Sequence, residues 1–233
     1  MEELLTDLYY NPKTGYSSKD KLYRRAKELD DNITLKIVQE FLDRQPTAQI
    51  TKQTKRQKIF SSIKSPSVKN NYQIDIFVLP NPTLNKGFKY LLTCIDIYSR
   101  YAFVKKLKSK DGAKVFEAFK EMISEEGKPE NINLDEGSEF IYTPFRKYCE
   151  DEDITLWYSN KDQDNKNAII ERFHRTLRNY LLRYEVATGQ SYIDDLDYII
   201  DNYNNTYHVT IKNKPIDIWE GKAKSKQKIE SLT

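Results

Sequence analysis

The chain has 233 residues, with 38 Lys and Arg against 35 Asp and Glu and a formal net charge of +3. That length suits one large domain, or a small domain beside a medium one, and a hydrophobic content of 38% is enough for a core. No apolar run approaches the ~20 residues of a membrane span, and nothing resembles a secretory leader.

Two cysteines, Cys94 and Cys149, provide neither a disulfide framework nor a zinc-ligand spacing. A reduced, intracellular and non-secreted protein is expected. The small net charge conceals a segregation. Residues 51–70 carry 6 basic and no acidic groups, residues 71–220 carry 20 basic and 25 acidic, and residues 221–233 carry 4 basic and 1 acidic. An acidic centre flanked by basic segments suits a protein that binds cations at one site and polyanions at its flanks.

Residues 1–50 read as a small helical domain of three short helices. Leu4, Leu5 and Leu8 mark the first, and the Pro12 to Gly15 turn ends it. Leu22, Ala26 and Leu29 mark the second. Thr34 can cap a third that carries Leu35, Val38, Phe41 and Leu42, with Pro46 as its stop. Two helices joined by a short turn allow a DNA-reading helix-turn-helix or a plain helical cap. Residues 51–70 form a basic linker whose densest cluster, Lys55, Arg56 and Lys58, is a phosphate contact, a nuclear-import signal or a solvated tether.

Three strands are expected next: Tyr72 to Pro80, Phe88 to Ile97, and Tyr101 to Leu107 after a tight connection at Tyr98-Ser99-Arg100. The last two pair as an antiparallel hairpin. Ser109 can cap a helix that ends at Gly127. A strand over Asn131 to Leu134, a helix opened by Thr143-Pro144, and a strand over Ile154 to Tyr158 follow. The polar loop Ser159 to Lys166 precedes a long helix to about Tyr184, and Ser191 can cap a last one. This order implies an α/β fold, a mixed five-stranded sheet flanked by helices.

Three carboxylates carry the chemistry. Asp75 is embedded in the apolar strand YQIDIF, where a lone buried carboxylate is costly unless paired or metal-bound. Asp135 ends a strand, at the sheet edge where α/β proteins place ligands, although Asp-x-Gly turns are common in their own right. Glu171 opens the long helix in one stripe with Arg175 and Arg178, a pattern that an ordinary Glu–Arg surface pair also produces. Taken together, a first strand, a later strand end and a helix start can converge three oxygen donors on magnesium, with arginines at hand for phosphate. Two such ions ~3.5–4 Å apart can activate an attacking oxygen and stabilise a leaving one.

These pieces carry a resemblance. YQIDIF, IDIYSRYAFVKKLKSKDG, NLDEGSEF, KNAIIERFHRTLRNYL and YNNTYHVTIKNKP follow one another in the order found in retroviral-type integrases and related DDE transposases. Residues 71–220 resemble the catalytic core of that superfamily, and 35 residues separate Asp135 from Glu171, as is usual there. Residues 7–45, without zinc ligands, look like the Maverick/Polinton and virophage branch.

The resemblance implies a ribonuclease-H-like core with Asp75, Asp135 and Glu171 as catalytic metal ligands for two Mg2+ or Mn2+ ions, and no zinc. It implies DNA contacts at His174, Arg175 and Arg178, and at Lys161 and Lys166 in the loop before the helix. The expected activity is 3′-end processing and strand transfer of a viral or transposon DNA. The expected partners are double-stranded DNA, at element ends and target, and further copies of the chain as a dimer or tetramer, with no membrane. The expected setting is a host nucleus, viral factory or virion. The alternatives are a silent DNA-binding relative and a nuclease of the same fold that cuts without joining. Glu136 departs from the Asn usual after the second aspartate, His208 reads as structural, and only a basic tail, 221–233, follows the core.

Overall fold

The structure is a computed structural model that describes residues 1–13, 15–50, 64–159 and 167–223. The chain divides into two compact units, Met1–Lys58 with Arg175–Tyr207, and Ile59–His174 with His208–Thr233. Packing therefore groups residues 175–207 with the N-terminal helices, across the sequence segments 1–50 and 71–220.

The first unit contains α1 (Glu2–Tyr10), α2 (Lys19–Leu29), α3 (Leu35–Asp43) and α4 (Pro46–Ile50). Leu5, Tyr9, Leu22, Ala26, Ile33, Val38 and Phe41 form its buried cluster, because apolar residues recur at three- and four-residue spacing on each helix. The Thr34 side chain accepts the Ile37 N–H and caps α3, as expected. Pro46 does not end the helical region but begins α4, since proline lacks only an N–H that the first turn leaves unbonded anyway. This unit also takes the later part of α7 (Ala168–Thr188) and all of α8 (Leu196–Asn204). Partly buried polar bonds fasten them: Arg25 donates to Asn202 Oδ1 (2.6 Å), and Arg183 donates to the carbonyls of Tyr16 and Ser17 (2.9 Å each).

The second unit holds β1 (Asn71–Val78), β2 (Tyr90–Asp96), β3 (Ala102–Leu107), β4 (Asn131–Asp135) and β5 (Thr155–Ser159). They form the expected mixed sheet in the order β3-β2-β1-β4-β5. The β1–β2 and β2–β3 pairs are antiparallel, and the β1–β4 and β4–β5 pairs are parallel. Side chains alternate along β1. Tyr72 and Ile74 enter the core beneath α5 (Gly112–Glu126) and α6 (Thr143–Asp151), where Phe119, Met122, Phe145 and Cys149 meet them. Gln73, Asp75 and Phe77 point to the opposite face, which the start of α7 covers.

The β2–β3 connection is held by Asp96, a buried carboxylate that accepts from Ser99 N–H and Oγ (2.6 Å each) and from Lys69 N–H (2.9 Å). A short helix not read from the sequence, α9 (Pro215–Trp219), lays the Trp219 ring on Tyr101, with centroids 4.7 Å apart and planes within 7°. Among the described residues, no helix is long and apolar enough to cross a membrane.

Candidate active site

β1 and β4 run parallel, with Asn71 beside Asn131 and Gln73 beside Asn133. Carried on along the strands, the same offset sets Asp75 level with Asp135. Asp75 is central on β1, and Asp135 is the last residue of β4. The ladder itself ends at Gln73 and Asn133, and beyond it the nearness of the two carboxylates shows in the charge of Asp135 acting on Asp75. Asp135 also forms its turn, with Oδ1 accepting the Gly137 N–H at 3.2 Å. The turn-forming reading of Asp135 holds, and the turn leaves its carboxylate exposed at the end of β4.

Glu171 arrives through a residue that sequence reasoning missed. Gln73, fully buried and two residues before Asp75 on the same face, accepts the Ile170 N–H through Oε1 at 2.9 Å. This bond ties the first turn of α7 to the sheet next to Asp75, and Glu171 is the following residue. Nothing in the sequence marks Gln73, since its partner lies 97 positions away.

Crowding of carboxylates shows in the proton affinity of Asp75. Its carboxyl is pushed up to about 7 by burial first and by the charge of Asp135 next. The Ile76 N–H pulls the other way, and Glu139 and Glu171 add to the rise. Glu139 is a fourth acid that the sequence pattern did not single out. It is buried, with Oε2 near the Ser138 hydroxyl at 3.2 Å. The signal available was its place just before the buried Phe140 in NLDEGSEF. Glu136, the departure from the usual asparagine, is exposed.

His174 sits in the site wall. Its side chain is 14% exposed, and its ring lies edge-on to Phe77 at 5.1 Å. Nε2 is 2.7 Å from Thr93 Oγ1, and Nδ1 is 3.6 Å from Asp75 Oδ2. Arg175 and Arg178 are exposed positions of α7. Lys55, Arg56, Lys58, Lys161 and Lys166 lie outside the described residues.

Among the described residues, no group of three or more His, Cys, Asp and Glu side chains is drawn close enough to form a finished metal cage. The donor set nonetheless fits a hard divalent ion. Magnesium keeps several waters and takes only one or two carboxylates alongside substrate phosphates. A cation between these acids would offset both the burial and the neighbouring negative charge that raise the Asp75 carboxyl.

Residues 67–163 match the family model of the integrase core domain. A putative uncharacterized transposon-derived protein of Caenorhabditis elegans is 35% identical over 150 residues, covering 64% of this chain and 52% of that protein. The chain therefore spans about half the length of this curated relative. Among solved structures, the HTLV-2 integrase catalytic core domain in complex with magnesium superposes with a TM-score of 0.56 at 20% identity, covering 66% of this chain and 99% of the other. A chain of the simian T-cell lymphotropic virus intasome, solved in complex with the PP2A regulatory subunit B56 gamma, gives a TM-score of 0.61 at 16% identity, covering 87% of this chain and 74% of the other. The sheet order and these neighbours show a ribonuclease-H-like fold, and residues 67–163 carry the match to the integrase core domain.

Proposed function

We propose that this chain is an integrase that trims the 3′ ends of a mobile DNA and joins them to target DNA, inside the cell in which that DNA is delivered. The observation that supports the reading is the placement of Asp75, Asp135 and Glu171 in one unit at the same end of the sheet, where Asp135 and Glu171 add charge to the burial that raises the Asp75 carboxyl. Asp75 and Asp135, and Glu171 from the helix start, are the residues that would hold divalent magnesium or manganese. When bound, such ions activate an attacking oxygen and stabilise a leaving one in phosphoryl transfer. Gln73 orients Glu171 by fixing the helix start. Arg175 and Arg178 offer guanidinium groups to DNA phosphates, as do Lys161, Lys166, Lys55, Arg56 and Lys58 by charge. Both ends of an element must meet one target, so the active species is an oligomer on double-stranded DNA. The N-terminal helical unit, whose residues 1–50 contain neither His nor Cys, supports a place in the Maverick/Polinton and virophage branch.

The test is strand transfer of a labelled duplex end into plasmid DNA with Mg2+ or Mn2+. Asp75→Asn, Asp135→Asn and Glu171→Gln should each lower product by at least about a hundredfold, since deleting a group that acts only in the transition state costs several kcal/mol. Their melting should stay cooperative. Full activity in Asp135→Asn would remove the mechanism. The open arrangement of the acids favours one second reading, a DNA-binding relative without catalysis. That reading predicts shifted DNA in a gel and no nicked or joined product from the parent chain at any metal concentration.

A further inference from the structure

Asp75 and Thr93 are direct partners across the β1–β2 ladder, so their side chains share a face. Thr93 is fully buried. Its hydroxyl donates to the main-chain carbonyl of Asp75 at 2.7 Å. A hydroxyl has a single proton, and a carbonyl can only accept. At its second contact, His174 Nε2 at 2.7 Å, the Thr93 oxygen must therefore be the acceptor, and the imidazole must hold a proton on Nε2. In the neutral ring the other nitrogen, Nδ1, then carries a lone pair. It is Nδ1 that faces Asp75 Oδ2, at 3.6 Å, beyond direct hydrogen-bond range. Phe77 and Phe173 pack against the ring, with centroids 5.1 and 6.1 Å away, and hold its plane.

We propose that Thr93 and His174 are positioning residues for Asp75. The Thr93 hydroxyl ties down the strand beneath the carboxylate and commits the His174 proton to Nε2, so the ring shapes the carboxylate's surroundings without donating to Oδ2. Asp75 Oδ1 already accepts the Ile76 N–H at 2.7 Å. Oδ2 is the oxygen that faces the ring, and a ring protonated on Nδ1 would compete with a cation for it. This proposal rests on the reading of Asp75 as a divalent-cation ligand. The relevant specificity lies in Thr93, a residue with no obvious chemistry of its own.

The experiment uses the full chain labelled with 15N, in alkaline buffer where neutral imidazole prevails. His174 and His208 are the two histidines, so long-range 1H–15N spectra resolve both rings, and His208→Gln assigns them. The expected result is the Nε2–H tautomer for His174 in the parent and in Thr93→Ser, and the Nδ1–H tautomer in the isosteric Thr93→Val. Mn2+ affinity, read by water-proton relaxation, should fall about 10- to 100-fold in Thr93→Val and be retained in Thr93→Ser, the range found when partners of metal ligands are removed. An Nδ1–H tautomer in the parent overturns the proposal, as does unchanged tautomer and Mn2+ affinity in Thr93→Val. Loss of Mn2+ affinity in Thr93→Ser equal to that in Thr93→Val also overturns it. If Thr93→Val does not fold, the parent tautomer and the Ser variant still decide. A parent chain that binds no Mn2+ refutes the cation-ligand reading instead, while the tautomers still report on the Thr93–His174 bond.

Discussion

Asp75 combines two demands that oppose each other in the metal-free protein. Its carboxyl rises from an ordinary 3.8 to about 7, through burial and then through Asp135, Glu139 and Glu171. Well below pH 3.8 the group is protonated both folded and unfolded, and it costs nothing. As pH climbs past 3.8 the unfolded chain ionises freely while the folded chain does not, so stability falls until about pH 7 and then levels off. A tenfold change in proton affinity corresponds to about 1.4 kcal/mol, which places the total loss near roughly 4 kcal/mol as an upper figure. Asp75→Asn keeps the shape, and its side-chain oxygen can still accept the Ile76 N–H. In EDTA at pH 8 this variant should be more stable than the parent by about 2–4 kcal/mol, and the gap should close by about pH 3. Urea midpoints of both proteins across that range measure it. A constant gap, or none at pH 8, would mean that neither burial nor the neighbouring acids raise the Asp75 carboxyl in the folded chain.

At the scale of elements, the turn between α1 and α2 shows how one backbone contact can govern a unit. Gly15 donates its N–H to the Asn11 carbonyl, and a Cβ built on it would sit 2.0 Å from the Tyr9 carbonyl oxygen. The clash is with backbone, which has no rotamer to yield. Gly15→Ala should cost about 3 kcal/mol or more, beyond ordinary overpacking, and should show as a markedly lower melting temperature. A variant that melts within a degree of the parent would contradict this geometry. The turn itself was legible, because Pro12 and Gly15 punctuate it. So were the strands, Thr34 as a cap and Pro144 at a helix start, since each depends on neighbours in sequence. Other starts were not. Ser109 and Ser191 accept the N–H two residues on and make turns, which moves the helix starts to Gly112 and Leu196. Asp111 then caps through Ala113 N–H, while the Asp195 carboxylate is taken by the Tyr184 hydroxyl. Of the site, the three acids were readable by pattern. Gln73, Thr93 and Glu139 were not, because their roles come from partners that only the folded sheet brings near.

For the whole molecule, the grouping of residues 175–207 with the N-terminal helices has a consequence for any isolated core. A fragment of residues 64–223 retains all five strands and the three acids. It loses Arg25, the donor to Asn202 Oδ1 and to the Asn202 carbonyl, and it loses the Gly15 carbonyl that accepts from Asn202 Nδ2 at 2.7 Å. Arg183 loses the Tyr16 and Ser17 carbonyls, and Tyr184 loses the Tyr16 ring 5.8 Å from its own. Asn202 and Thr206 are buried side chains, and each buried polar group deprived of a partner costs about 1–3 kcal/mol. Several such losses are comparable with the ~5–15 kcal/mol that holds a typical domain together. The fragment should therefore show a melting temperature well below that of the full chain, with residues 175–207 exchanging amide hydrogens fastest. Residues 1–50 added as a separate chain should restore much of the protection, because the partners they supply are hydrogen-bonding groups on preformed helices and turns. Differential scanning calorimetry and hydrogen exchange of the fragment, alone and with 1–50, measure both effects. A fragment as stable as the full chain would mean that residues 175–207 draw their order from the sheet unit and not from the N-terminal helices.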